Sequence, residues 1–180
     1  MFQTMIYLSI LVILLWVLLS IVLWSIRNGI SPMPTSPLAK KRLFEALPLK
    51  LEGTVYEMGS GWGTLAFPLA KKYRNCRVVG IESSPIPFHF SRFRHLFFHA
   101  RNLEFIHEDF MKTSIKDASL IVCYLYPGVM QKLKVKFEKE LKPGTWVISN
   151  TFAIPGWDPY KAYDIGDLYG TKIYIYQIYP

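Results

Sequence analysis

The chain has 180 residues, 51% hydrophobic and 16% aromatic, which is enough for one domain of ordinary size with a full core and an appendage. Its 21 lysines and arginines outnumber 13 aspartates and glutamates, for a net charge of +8. Two cysteines, Cys76 and Cys123, speak against a disulfide framework and for buried thiols in a reducing compartment, and no His/Cys spacing suits a metal, so none is expected.

Residues 1–26 contain no Asp, Glu, Lys, Arg or His, and Met5 to Ile26 is apolar almost without interruption. At about 1.5 Å per residue this run reaches about 33 Å as a helix, enough to cross a bilayer core of about 30 Å, so residues 1–27 read as one transmembrane anchor. A cleaved signal peptide fits less well, because there is no basic leading region and no small-x-small cleavage site. Trp24 lies where an interfacial aromatic would sit, whereas Trp16 is mid-span. Arg27, Lys40, Lys41 and Arg42 follow the helix and only the amino terminus precedes it. The positive-inside rule therefore puts the remainder in the cytoplasm, and the expected setting is a single-pass protein of a bacterial inner membrane with the lipid bilayer as a partner.

Residues 28–37, with three prolines, predict a linker, and residues 38–180 one domain. The expected order is helix (38–46), strand (54–58), helix (64–73), strand (77–81), helix (86–100), strand (103–107), strand (120–124), helix (128–141) and strand (145–151). Strands alternating with helices predict an α/β fold with a doubly wound, mostly parallel sheet. A last strand, Thr171 to Tyr179, alternates at period two. Pro68 falls early in its helix, where a tight first turn must absorb it.

The stretch Val55-Tyr56-Glu57-Met58-Gly59-Ser60-Gly61-Trp62-Gly63 reads as a strand end passing through a glycine turn into a helix. Alternate glycines permit positive φ and let a ligand lie against the main chain. The dinucleotide fingerprint G-x-G-x-x-G is not met; instead there is G-x-G-x-G with an acid two residues ahead. A pyrophosphate disfavours that carboxylate, whereas a ligand carrying an amino group and a sulfonium tolerates it. Glu82 closes the second strand, where one carboxylate can accept two ribose hydroxyls. Asp109, after the third strand, suits either an adenine amino group or a helix N-cap.

The ordered set Glu57-x-Gly59-x-Gly61-x-Gly63, Glu82 and Glu108-Asp109-Phe110 resembles the class I S-adenosylmethionine (SAM)-dependent methyltransferases. That resemblance implies a Rossmann-like seven-stranded methyltransferase sheet with the last strand antiparallel at its edge, and SAM as cofactor. It implies contacts to SAM from Glu57, Gly59, Ser60, Gly61, Glu82 and Asp109. Tyr124 and Tyr126, ending the fourth strand, lie where the methyl group would point, and aromatic faces there would stabilise a cationic amine or sulfonium by about 0.5 to 2 kcal/mol each. Pro32-Met33-Pro34-Thr35, the glycine turn and Ser149 to Trp157 look similar to the small membrane-anchored lysine methyltransferases related to the ATP synthase c-subunit lysine N-methyltransferase. This nearer resemblance implies a membrane-protein lysine as acceptor and carries Pro34 and Thr35 over as cofactor contacts. A lipid or quinone acceptor, or a non-catalytic SAM-fold binding protein, stays open on the residues alone.

The densest cationic group, Lys132, Lys134, Lys136, Lys139 and Lys142, has Glu138 and Glu140 interleaved and reads as a solvated helix face or a membrane-attracted one. No nucleic acid is expected, because no reader motif accompanies the charge.

Overall fold

A computed structural model describes residues 2–29, 34–98 and 100–179. In chain order the elements are α1 (Phe2–Asn28), α2 (Pro37–Ala46), β1 (Thr54–Met58), α3 (Ala66–Lys72), β2 (Arg77–Ile81), α4 (Pro85–His95), β3 (Leu103–Ile106), β4 (Ala118–Cys123), α5 (Pro127–Glu140), β5 (Trp146–Asn150), β6 (Lys161–Asp164) and β7 (Lys172–Gln177). Proline starts α2, α4 and α5, where its fixed φ suits the first turn and its missing N–H has no partner to lose. Ser36 caps α2, its hydroxyl accepting from the Ala39 amide at 3.2 Å. Pro68 is absorbed in the first turn of α3.

The strands form one seven-stranded sheet in the order β3-β2-β1-β4-β5-β7-β6. All pairings from β3 to β5 are parallel, and β7 is antiparallel to both β5 and β6. β1 is buried at all five positions, as a central strand covered on both faces must be. One core lies between the sheet and α2 and α3, around Leu43, Leu65, Leu69 and Val78; the other lies under α5, around Met130, Leu133, Phe137 and Ile121.

Several expectations are corrected. β6 falls in a segment without a sequence assignment, and it takes the sheet edge, so the last strand lies one place inward rather than at the edge itself. α3 starts at Ala66 rather than Thr64, because the glycine turn continues through Leu65. α4 ends at His95 rather than Ala100. α1 continues through Asn28 and α2 begins at Pro37, so the linker is shorter than expected; Ile30 to Met33, including the motif residues Pro32 and Met33, lie outside the described residues. The lysine-rich helix is not a wholly solvated face: Lys136 is buried, and its ammonium donates to Glu140 Oε1 at 2.7 Å. Cys76 and Cys123 are both buried and free.

α1 is long and apolar enough to cross a membrane. Its half-buried residues, Val17, Ser20, Ile21, Trp24 and Ser25, follow helical spacing along one side. Ser20, Ile21 and Trp24 from that side face Ser84, Ile86 and Pro87 at the start of α4.

Candidate active site

The strand order reverses between β1 and β4, and the carboxyl ends of the parallel strands there border a crevice, the place where open α/β sheets bind ligands. A cavity of about 490 Å³ fills it. β1 contributes Glu57 and leads into Gly59, Ser60, Gly61 and Trp62; β2 leads into Glu82, Ser83 and Ser84; β3 into His107, Glu108, Asp109 and Phe110; β4 into Tyr124, Leu125 and Tyr126.

The glycine turn owes its path to Gly59, Gly61 and Gly63, whose φ values are +71°, +52° and +73°. Gly61 is the informative one. A Cβ there would meet no protein atom within 4 Å, so its backbone borders open space that a ligand can use. The Gly61 amide donates to Glu82 Oε2 at 2.8 Å, and the Ser84 amide to Glu82 Oε1 at 2.7 Å. Each carboxylate oxygen thus spends one lone pair on a backbone amide and keeps another for an incoming hydroxyl, which suits the adjacent diol of a ribose.

Glu57 and Ser60 supply the opposite signal. Both are buried, yet Glu57 Oε2 and Ser60 Oγ have no hydrogen-bond partner among the described residues. A buried acceptor left unpaired costs about 1 to 3 kcal/mol, a cost a polar ligand in the cavity would remove. Burial holds the Glu57 carboxyl well above the usual carboxylate range; amides of Ala66 and Leu65 oppose this, and the nearby Glu82 charge adds to it. A cationic amino group entering there would complement the Glu82 charge and draw the Glu57 carboxyl back toward its ionised form.

Asp109 is exposed, and its Oδ1 accepts from the Met111 amide at 2.9 Å in a short turn. Tyr124 and Tyr126 are half-buried on the wall facing the glycine turn. Thr35 is half-buried and lines the same cavity, whereas Pro34 is exposed and lies outside the lining, as does the whole of Ser149 to Trp157. The structure therefore brings together Glu57, Gly59, Ser60, Gly61, Glu82, Asp109, Tyr124, Tyr126 and Thr35, and leaves out Pro34.

Among the cavity residues the sequence left unassigned to the site are Trp24 and Arg27, which reach it from the end of α1. The Arg27 guanidinium lies over the Trp24 ring at 5.0 Å. The backbone of Gly29 then touches Tyr126: a Cβ at Gly29 would come within 2.6 Å of the tyrosine ring. The only local signal was the i, i+3 spacing of Trp24 and Arg27.

The sequence profile described as the ANTKMT methyltransferase domain matches residues 57–161, more than half of the chain and most of the cavity wall. The chain belongs to the ANTKMT methyltransferase family. A protein-lysine N-methyltransferase of Saccharolobus islandicus is 29% identical over 156 residues, covering 81% of this chain and 92% of that protein. The Homo sapiens ATP synthase c-subunit lysine N-methyltransferase is 31% identical over 109 residues, covering 59% of this methyltransferase, which in turn spans about half (46%) of the human protein. Among solved structures, an RNA methyltransferase from Salinibacter ruber in complex with S-adenosyl-L-homocysteine superposes with a TM-score of 0.73 at 30% identity, covering 82% of this chain and 94% of that one. S-adenosylmethionine is accordingly the methyl donor of this methyltransferase, and the orphaned Glu57 and Ser60 atoms, the open space at Gly61 and the spare lone pairs of Glu82 fit it.

Proposed function

We propose that this methyltransferase is held in a membrane by α1, with its catalytic domain on the cytoplasmic side, and methylates a lysine of a protein at the bilayer surface. The observation that carries this reading is the mixed lining of one cavity. Its inner end has the carboxylates and glycine backbone suited to the donor, and its outer wall includes Trp24 and Arg27 from the end of the apolar helix. An acceptor must therefore approach beside the membrane-facing end of α1. The relatives named as lysine N-methyltransferases support an amine acceptor.

Within this reading Glu57 meets the amino-acid end of the donor, Ser60 and Gly61 line it, Glu82 holds the ribose hydroxyls, and Asp109 and Phe110 lie beside the adenine. Thr35 closes the side of the cavity. Bound SAM supplies an electrophilic methyl group on a sulfonium, so the protein has to align and partly dry the acceptor nitrogen. Tyr124 and Tyr126 line the cavity, and their aromatic rings serve this purpose. Lys112 and Lys132 also line the cavity, and their positive charges favour the neutral, nucleophilic form of an incoming amine.

The test uses the full chain in lipid nanodiscs, SAM labelled in its methyl group, and a membrane fraction as the source of acceptors. Label is expected in protein, and acid hydrolysis should return it as methyl-lysine. Recovery in the lipid extract would overturn the lysine reading in favour of a lipid or quinone acceptor. Recovery in RNA would favour the activity named for the Salinibacter relative. Saturable donor binding without transfer to any fraction would favour a binding protein.

A further inference from the structure

α4 leaves an apolar face uncovered. Phe90, Phe93 and Phe97 are 45%, 60% and 66% exposed, and Leu96 beside them is 76% exposed. Positions 90, 93 and 97 follow helical spacing and form one stripe, continued into the turn after His95. Phe88 and Ser91, on the other side, are buried against the domain. Large side chains grouped in this way mark an interaction surface.

The neighbouring helix indicates what covers it. The start of α4, at Ser84, Ile86 and Pro87, packs on Ser20, Ile21 and Trp24 of α1. Ser20 stands six residues before Ile26, the last residue of the apolar run, which is about 9 Å along the helix axis. Interfacial helices bury their apolar faces about 5 to 10 Å into the headgroup and acyl boundary, the same depth. Charge agrees: no Asp or Glu occurs between Glu82 and Glu104, while Arg92, Arg94 and Arg101 do. At the far end of α4 a groove is lined by Lys71, Arg74, Arg94 and Arg101 around Phe98, with no carboxylate among its described lining residues.

We propose that α4 is a second membrane contact, lying in the surface of an anionic bilayer with Phe90, Phe93 and Phe97 turned into the lipid and the exposed Arg92 at headgroup level. The proposal rests on α1 spanning the membrane. It goes beyond anchoring, because a helix held at two points fixes the tilt of the domain. Ser84, the cap of α4, lines the catalytic cavity, so the cavity mouth is held at the bilayer surface instead of swinging on a tether.

Nitroxide labels placed one at a time by Phe93→Cys, Leu14→Cys and Leu168→Cys in the full chain, in nanodiscs containing phosphatidylglycerol, test this directly. Cys76 and Cys123, 2% and 0% exposed, stay unlabelled. The label at 93 should collide preferentially with oxygen over a water-soluble nickel chelate, at a depth of about 5 to 10 Å. The label at 168, from a fully exposed loop residue, should show the reverse. A lipid signal at 14 with a water signal at 93 would overturn the proposal and leave the anchor standing. Water signals at both would overturn the spanning reading as well. Shielding of 93 from both reagents with dipolar broadening between labels would assign the stripe to a second copy of the chain and overturn the proposal.

Discussion

Removal of the Glu82 carboxylate should damage folding and donor binding together, and the size of each loss follows from its bonds. The side chain is buried and accepts from the Gly61 amide at 2.8 Å and the Ser84 amide at 2.7 Å. Hydrogen bonds to a charged partner are worth about 1.5 to 3 kcal/mol each, so Glu82→Ala should cost about 3 kcal/mol at the lower figure. In a chain of this size that lowers the melting temperature by about 6 to 12 °C. Loss of two ribose contacts of the same kind removes about 3 kcal/mol of binding, roughly a 100-fold rise in Kd for S-adenosyl-L-homocysteine. Glu82→Gln separates the two effects in part: one amide oxygen can still accept from one backbone N–H, so its melting temperature should lie between those of the wild type and the alanine variant. Differential scanning fluorimetry of the full chain in nanodiscs gives the first quantity, and calorimetric titration the second. An alanine variant that melts with the wild type yet binds 100-fold more weakly would show that the carboxylate does not tie the glycine turn to α4. Unchanged binding would remove Glu82 from the donor site.

Three further outcomes are expected. Burial raises the Glu57 carboxyl above its ordinary value of 4.5, so its folded-state contribution is full below that pH and is lost as pH rises through the raised value. Glu57→Gln should therefore match the wild type near pH 4, be at least as stable at pH 7, and bind the donor product poorly; a greater loss of stability at pH 7 than at pH 4, measured by pH-dependent melting, would contradict this. Glu140 is the reverse case: against the opposing effect of burial, hydrogen bonds from Lys136 at 2.7 Å and the Ile115 amide at 3.0 Å hold it below 4.5. Its contribution is present above pH 4.5 and lost as pH falls through the lowered value, so Glu140→Ala should cost about 3 kcal/mol at pH 7, by leaving the Lys136 ammonium buried without its carboxylate, and much less at acid pH. Finally, Gly29→Val would drive a side chain into Tyr126 at a residue with φ +70°. It should reduce kcat several-fold while sparing affinity for S-adenosyl-L-homocysteine, and a variant with unchanged turnover would show that the end of α1 does not set the tyrosine.

The glycine-turn end of the cavity was legible in the sequence because its parts are local. A glycine turn needs only Gly59, Gly61 and Gly63 in one short segment, and the acid ending β2 falls beside it whenever two parallel strands are paired in register, as Met58 and Ile81 are. Hydrophobic runs sufficed for five parallel strands and the last strand, since each carries its own burial pattern. β6 was not legible: Lys161, Ala162 and Asp164 are exposed and only Tyr163 is half-buried, so the strand exists through its pairing with β7 and shows no period of its own. The buried Lys136 was hidden for a related reason, because burial of a charge depends on a partner one helical turn away and on the face the helix turns inward. The composition of residues 1–26 alone determined that the chain begins with an apolar helix long enough for a bilayer. Only the tertiary structure decided that this helix packs on α4, brings Trp24 and Arg27 into the catalytic cavity and sets Gly29 against Tyr126. The contacts of α1 with α4 and of Gly29 with Tyr126 join residues about 60 to 100 positions apart, and a separation of that kind leaves no periodicity to read.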